Sequence, residues 1–177
     1  TIDKHIPMGA GLGGGSSNAA TTLLALNKLW GLNLTITELH PLAIELGADV
    51  AVFLHGHSAW GEGIGEDLTP MILPTRDFLI LVPTTAIATA SLFNDPRLKL
   101  SPIEVCIQNY PDEKYYNSFE DLICADHPEI KSALDWLRKH TGNGYLTGTG
   151  ACVFATIDSS ERLSTIASHA AKRWQII

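Results

Sequence analysis

Between Pro7 and Ala20 the chain reads Pro7-Met8-Gly9-Ala10-Gly11-Leu12-Gly13-Gly14-Gly15-Ser16-Ser17-Asn18-Ala19-Ala20. Glycine amides have no Cβ in the way and can turn toward a ligand. The run that follows, Ala19 to Leu26, reads as a helix, and a helix start offers N–H groups without intrahelical partners together with the positive end of the dipole. A glycine loop feeding such a start is an anion site. The loop suits a triphosphate cradled by backbone amides, with Ser16 or Ser17 near a phosphate or Mg2+. Gly9, Gly11 and Gly14 also satisfy the G-x-G-x-x-G spacing of dinucleotide-binding folds. That pattern needs an apolar strand before it and an acidic residue about 20 positions on. Asp3 to Pro7 is a poor strand and Leu29 to Thr35 holds no acid. A non-catalytic nucleotide-binding module built on these glycines stands as the rival from another function class. The Gly-Lys-Ser/Thr of a P-loop is absent.

Three further features carry chemistry. Asp49, in Gly47-Ala48-Asp49-Val50, is placed to accept a proton from an attacking hydroxyl; a turn aspartate satisfying local amides is the bland counterpart. Gly148-Thr149-Gly150 offers a second anion nest or a plain tight turn. His55-Gly56-His57 invites a metal, but without acidic or thiol partners nearby these two read as loop histidines. Cys106, Cys124 and Cys152 form no CxxC pair, so neither a disulfide framework nor a zinc site is expected, and Cys152 reads as a small buried hydrophobe.

The elements that must hold these residues fall into two halves. Leu23, Leu26, Leu29 and Trp30 give the first helix an apolar face, with Gly31 as its stop. Thr35 and Glu38 form a capping box for a second helix ending at Leu46 and Gly47, with Pro41 expected to bend it or delay its start. Asp49 to Leu54 is read as a buried strand. A domain boundary is placed at Pro70 to Pro74, ahead of a clear strand at Phe78 to Val82. Helices are expected at Ala88–Phe93, Ser118–Cys124, Pro128–His140 and, capped by Ser159, Glu161–Arg173, with a strand at Ala151–Ala155. The 177 residues, 45% hydrophobic and 18% charged, make ordinary globular material. A net charge of −7 argues against a nucleic-acid or membrane-surface partner. No apolar run reaches the length of a membrane span and no signal peptide is visible, so a reducing cytoplasm is expected.

The loop at Pro7–Ala20 resembles the glycine motif of the GHMP kinases (galactokinase, homoserine kinase, mevalonate kinase and their kin), and Leu146-Thr147-Gly148-Thr149-Gly150-Ala151-Cys152 resembles their third motif. The triple glycine before Ser16-Ser17-Asn18, Leu46-Gly47-Ala48-Asp49-Val50, Phe93-Asn94-Asp95-Pro96 and Asn117-Ser118-Phe119-Glu120 are similar to the branch that acts on a cytidine diphosphate-linked polyol in the non-mevalonate route to isoprenoids. The resemblance implies an α+β, two-domain fold: residues 1–72 as an incomplete ribosomal-S5-like ATP-binding domain, and 73–177 as a ferredoxin-like C-terminal domain. It implies transfer of the γ-phosphate of ATP, with Mg2+, to a hydroxyl of a small cytidine diphosphate substrate. Another GHMP kinase, of homoserine or mevalonate type, is the alternative.

On this resemblance Asp49 is the catalytic carboxylate. Gly9, Gly11, Leu12, Gly13, Gly14, Gly15, Ser16 and Ser17 match the triphosphate loop. Lys4, Met8 and Asn18 match the adenosine pocket. Thr89 and Phe93 match positions beside the cytidine, and Gly148, Thr149 and Gly150 match a nest over phosphates and substrate. The Mg2+ ligands stay unassigned, with Glu62 and Glu66 as guesses. The chain starts at Thr1 and meets the loop almost at once, so a fragment is expected, inactive alone, that lacks the family's upstream lysine and cytosine contacts. Gly13→Val is expected to weaken ATP binding with little loss of folding.

Overall fold

Asn27 closes the first helical connection. Its side-chain amide donates to the Leu34 carbonyl at 2.9 Å, and its oxygen accepts the Leu34 N–H at 3.0 Å. This bracket joins α1 (Gly14–Leu29) to α2 (Ile36–Leu46) in a computed structural model that describes residues 2–99 and 117–177. Two compact units emerge: Gly13–Pro74, and Thr1–Leu12 together with Thr75–Ile177. Cys106 lies outside the described residues.

In the Gly13–Pro74 unit the expected capping box starts α2. The Glu38 N–H donates to the Thr35 hydroxyl at 3.3 Å, and the Glu38 carboxylate accepts the Thr35 N–H at 2.8 Å. Those bonds from Thr35 hold the Glu38 carboxyl below its ordinary pKa. Pro41 sits inside α2 without delaying it, since the helix begins at Ile36. The segment read as a strand at Asp49–Leu54 is a helix, α3 (Ala48–His55). A short apolar run fits a buried strand and a buried helix equally well by periodicity, and tertiary packing decides. Here Val50, Ala51 and Leu54 share one helical face and bury themselves with Ala20, Leu39 and Ala43. Gly56, left-handed at φ 70°, ends α3. A hairpin of β1 (Ala59–Glu62) and β2 (Asp67–Pro70) completes the unit.

The larger unit is built on an antiparallel sheet in the order β4-β5-β3-β6. Its strands are β3 (Asp77–Val82), β4 (Tyr145–Leu146), β5 (Val153–Ile157) and β6 (Gln175–Ile176). With helices crossing between β3 and β4 and again between β5 and β6, this is the expected ferredoxin-like order. Alternation sorts β3: Leu79 and Leu81 enter the main core, while Ile80 and Val82 pack on the other side with Ala10, Leu12 and Cys152. The main core is closed by α5 (Glu120–Asp126), α6 (Pro128–Thr141) and α7 (Ser160–Ala170). Helix α6 buries Ile130, Ala133, Leu134 and Leu137 at helical spacing. Short α4 (Thr89–Phe93) follows β3. Ser159 accepts the Arg162 N–H at 3.4 Å, as its reading as a cap requires.

The sheet also fixes the first glycine segment. The Ala10 carbonyl accepts the Cys152 N–H at 3.1 Å and the Thr147 hydroxyl at 3.0 Å. This brings Gly11 so close that a Cβ there would lie 2.3 Å from the Thr147 carbonyl oxygen, and its φ of +72° is left-handed. Gly11 is therefore a packing requirement of this unit. Gly11→Ala is expected to destabilise this unit by about 1–3 kcal/mol through overpacking and backbone strain. Urea unfolding followed by circular dichroism checks this; an unchanged midpoint would refute the close approach.

Candidate functional site

The N-terminus of α1 is an open donor set. Ser17 is the first residue whose N–H finds a helical acceptor, the Gly13 carbonyl at 2.9 Å. The N–H groups of Gly14, Gly15 and Ser16 stand ahead of it, with no side-chain cap and no acidic residue in the first turn. Such a terminus attracts anions. Gly15 sharpens the point. A Cβ on it would meet no heavy atom within 4 Å, and its φ is not left-handed. Glycine in a helix costs roughly 0.5–1 kcal/mol relative to alanine. Nothing among the described residues requires it here, so the open space beside its amide points to something that approaches from outside.

Gly13 has a different reason. It is the N-cap at φ 65°, and a Cβ on it would strike the Phe53 ring at 2.8 Å. Phe53 therefore seats α3 against the start of α1. Asp49 lies one turn before Phe53 on the same face of α3, a spacing that brings side chains within about 5–6 Å of each other. Asp49 is exposed, in the first helical turn, and caps nothing. It thus makes none of the local amide contacts that the bland reading required. The contact with Phe53 also corrects the expectation for Gly13→Val, which must disturb folding as well as the loop.

In the other unit, Gly148, Thr149 and Gly150 form a tight turn closed by the Gly150 N–H on the Thr147 carbonyl at 2.7 Å. The Thr149 and Thr89 hydroxyls bond at 2.8 Å. Phe93, 63% exposed, meets Phe119 edge to face with centroids 5.0 Å apart. Lys4, Met8 and Gly9 are exposed in the same unit, whereas Leu12 turns its side chain into the Ala10–Val82–Cys152 cluster. The loop therefore changes units between Leu12 and Gly13, and Ser16, Ser17, exposed Asn18 and Asp49 belong with the second part. No strand precedes the loop among the described residues, which removes the context a dinucleotide fingerprint needs.

Comparison with known proteins gives the family. The descriptions "GHMP kinases N terminal domain" and "GHMP kinases C terminal" match residues 1–57 and 125–176. The crystal structure of a 4-(cytidine 5'-diphospho)-2C-methyl-D-erythritol kinase aligns with a TM-score of 0.80 at 30% identity, covering 99% of this chain and 67% of that one. The chain belongs to the GHMP kinase family. A 4-diphosphocytidyl-2-C-methyl-D-erythritol kinase of Alcanivorax borkumensis is 41% identical over 98% of this chain and 59% of its own length. Its counterpart from Nitrosospira multiformis is 48% identical over 87% and 53%. A homoserine kinase from Cytophaga hutchinsonii shares the fold, with a TM-score of 0.60 at 17% identity. The chain spans 53–62% of the length of the curated relatives it matches.

Glu66, one of the two guesses, is occupied in the hairpin turn, accepting the Ile64 N–H at 2.6 Å. Glu62 is exposed on β1. Among the described residues no group of three His, Cys, Asp or Glu side chains converges on a cation position.

The histidine motif has a structural role that sequence order hid. His40, on α2, meets His55 across the bundle, Nδ1 to Nε2 at 3.1 Å, and its Nε2 lies 3.0 Å from the Glu66 carbonyl. A carbonyl only accepts, so His40 carries its proton on Nε2, and His55 donates from Nε2 to the bare Nδ1. The His57 ring stands 5.7 Å from that of His55. Burial first, then His40 and His57, push the His55 pKa below the ordinary value. The unfolded chain then binds more protons than the folded one below about pH 6.5. Stability should fall as pH drops from about 6.5 toward the lowered pKa of His55, and His55→Gln should flatten that part of the profile. Thermal unfolding from pH 5 to 8 tests it; parallel profiles for both proteins would refute it.

Proposed function

We propose that this chain carries the triphosphate cradle and the proton acceptor of a kinase that moves the γ-phosphate of ATP to the 2-hydroxyl of 4-diphosphocytidyl-2-C-methyl-D-erythritol, in the non-mevalonate route to isoprenoids. The observation that carries the reading is the uncapped start of α1 with Gly15 open beside it. Curated relatives and a solved structure that are 4-diphosphocytidyl-2-C-methyl-D-erythritol kinases support the choice of acceptor.

In this reading residues 1–72 belong to the nucleotide-binding domain and 73–177 to the C-terminal one. The amides of Gly14, Gly15 and Ser16 hold the β- and γ-phosphates, with the Ser17 hydroxyl beside them, and Mg2+ arrives on those phosphates. Lys4, Met8 and Asn18 border the adenosine. The acceptor hydroxyl attacks the γ-phosphorus, the bond to the β-phosphate oxygen breaks, and the hydroxyl proton passes to Asp49. Thr89 and Phe93 border the cytidine, where the exposed Phe93 ring offers a stacking face. The turn at Gly148–Gly150, in the same unit as Thr89 and Phe93, borders the substrate.

Two substitutions separate the roles. Gly15→Ala should stabilise the fold by up to about 1 kcal/mol while lowering ATP affinity at least tenfold. Calorimetric titration beside a melting curve reads both, and unchanged affinity would place the phosphates elsewhere. Asp49→Asn in the whole protein should cut turnover roughly 10²–10⁴-fold, the scale of a general-base contribution, and leave ATP binding within a few-fold. Turnover near that of the unaltered protein would remove Asp49 from the reaction.

A further inference from the structure

Asn117 uses both ends of its side-chain amide. Its nitrogen donates to the Gly148 carbonyl at 2.7 Å and to the Leu146 carbonyl at 3.1 Å. Its oxygen accepts the Phe119 N–H at 3.0 Å. Two acceptors on one side and a donor on the other leave one orientation of the amide consistent with all three bonds. Through these bonds one half-buried residue touches two separate parts of the unit. One is the glycine turn, whose Thr149 hydroxyl bonds that of Thr89. The other is Phe119, whose ring meets the exposed ring of Phe93. The Asn117 backbone carbonyl also accepts the Glu120 N–H at 2.9 Å, at the start of α5.

We infer that Asn117 is a positioning residue that sets the Gly148–Gly150 turn and the Phe119–Phe93 pair in register with one another for the cytidine-bearing substrate. The inference deepens the proposed function and rests on it for the identity of that substrate. The chemistry at position 117 is specific. Aspartate keeps the oxygen that accepts from Phe119 but turns a second oxygen toward two carbonyls, so the turn loses its donors and gains repulsion. Serine keeps a short acceptor for the Phe119 N–H but does not reach Gly148. Both variants therefore spare the start of α5 and release the glycine turn, which separates positioning from capping.

The test uses Asn117→Asp and Asn117→Ser in the whole protein, with hydrogen exchange and steady-state kinetics side by side. Exchange at the Gly150 amide, which bonds the Thr147 carbonyl, should quicken at least tenfold in either variant, while amides of α5 and α6 keep their protection. The KM for the cytidine substrate should rise at least tenfold, with the KM for ATP changed less than threefold. Unchanged exchange in the turn overturns the inference whatever the activity. Faster exchange with unchanged kinetics overturns its link to substrate. If the unaltered protein does not phosphorylate the cytidine substrate, the proposed function fails instead, and the exchange arm still decides whether Asn117 holds the turn. Should Asn117→Asp fold poorly, Asn117→Ser carries both readouts.

Discussion

One carbonyl oxygen, that of Ala10, ties the first glycine segment to the turn between Thr147 and Cys152. It accepts the backbone N–H of Cys152 and the hydroxyl of Thr147, and it belongs to the first glycine segment while both donors belong to the third. Segments more than a hundred positions apart thus share an acceptor. The Thr147 hydroxyl also reaches the Cys152 carbonyl at 3.1 Å, so this clasp closes the turn on itself. Ala10, Val82 and Cys152 bury the spot from solvent, and in that setting an unmade bond costs about 1–3 kcal/mol. The glycine at position 11 follows from this geometry, because only a residue without Cβ lets the two backbones meet so closely.

The two units solve different problems with the same residue type. Gly11 yields space to a neighbouring backbone and Gly13 to an aromatic ring, whereas Gly15 yields space to nothing among the described residues. Glycines within one run thus separate by what the fold asks of each. The same logic applies to Asp49, whose carboxylate neither caps α3 nor closes a turn.

Much of this was legible in the sequence, and the exceptions have physical causes. The capping box at Thr35 and Glu38, the long amphipathic helix α6 and the strand at Asp77–Val82 are local signals, set by neighbours in sequence. The ferredoxin-like order followed from the family resemblance. Helix α3 was misread because Asp49–Leu54 carries the composition of a strand, and only its packing against α1 and α2 selects the helix. Strand β4 was missed because two residues, Tyr145 and Leu146, leave no periodicity to read. The roles of Phe53, Thr147 and His40 depend on partners distant in sequence. The carbonyl partners of Asn117, at Leu146 and Gly148, lie about 30 positions on and leave no local signal.

The clasp has a built-in reporter. Cys152 is fully buried, and burial pushes its thiol up to about 11. At neutral pH only about one such thiol in ten thousand is ionised, and the thiolate is the reactive form. Alkylating reagents and oxidants are thus excluded twice, by access and by protonation. Opening of the clasp removes both barriers at once. The modification rate at Cys152 therefore measures how often the first and third glycine segments part, in a protein that needs no added label.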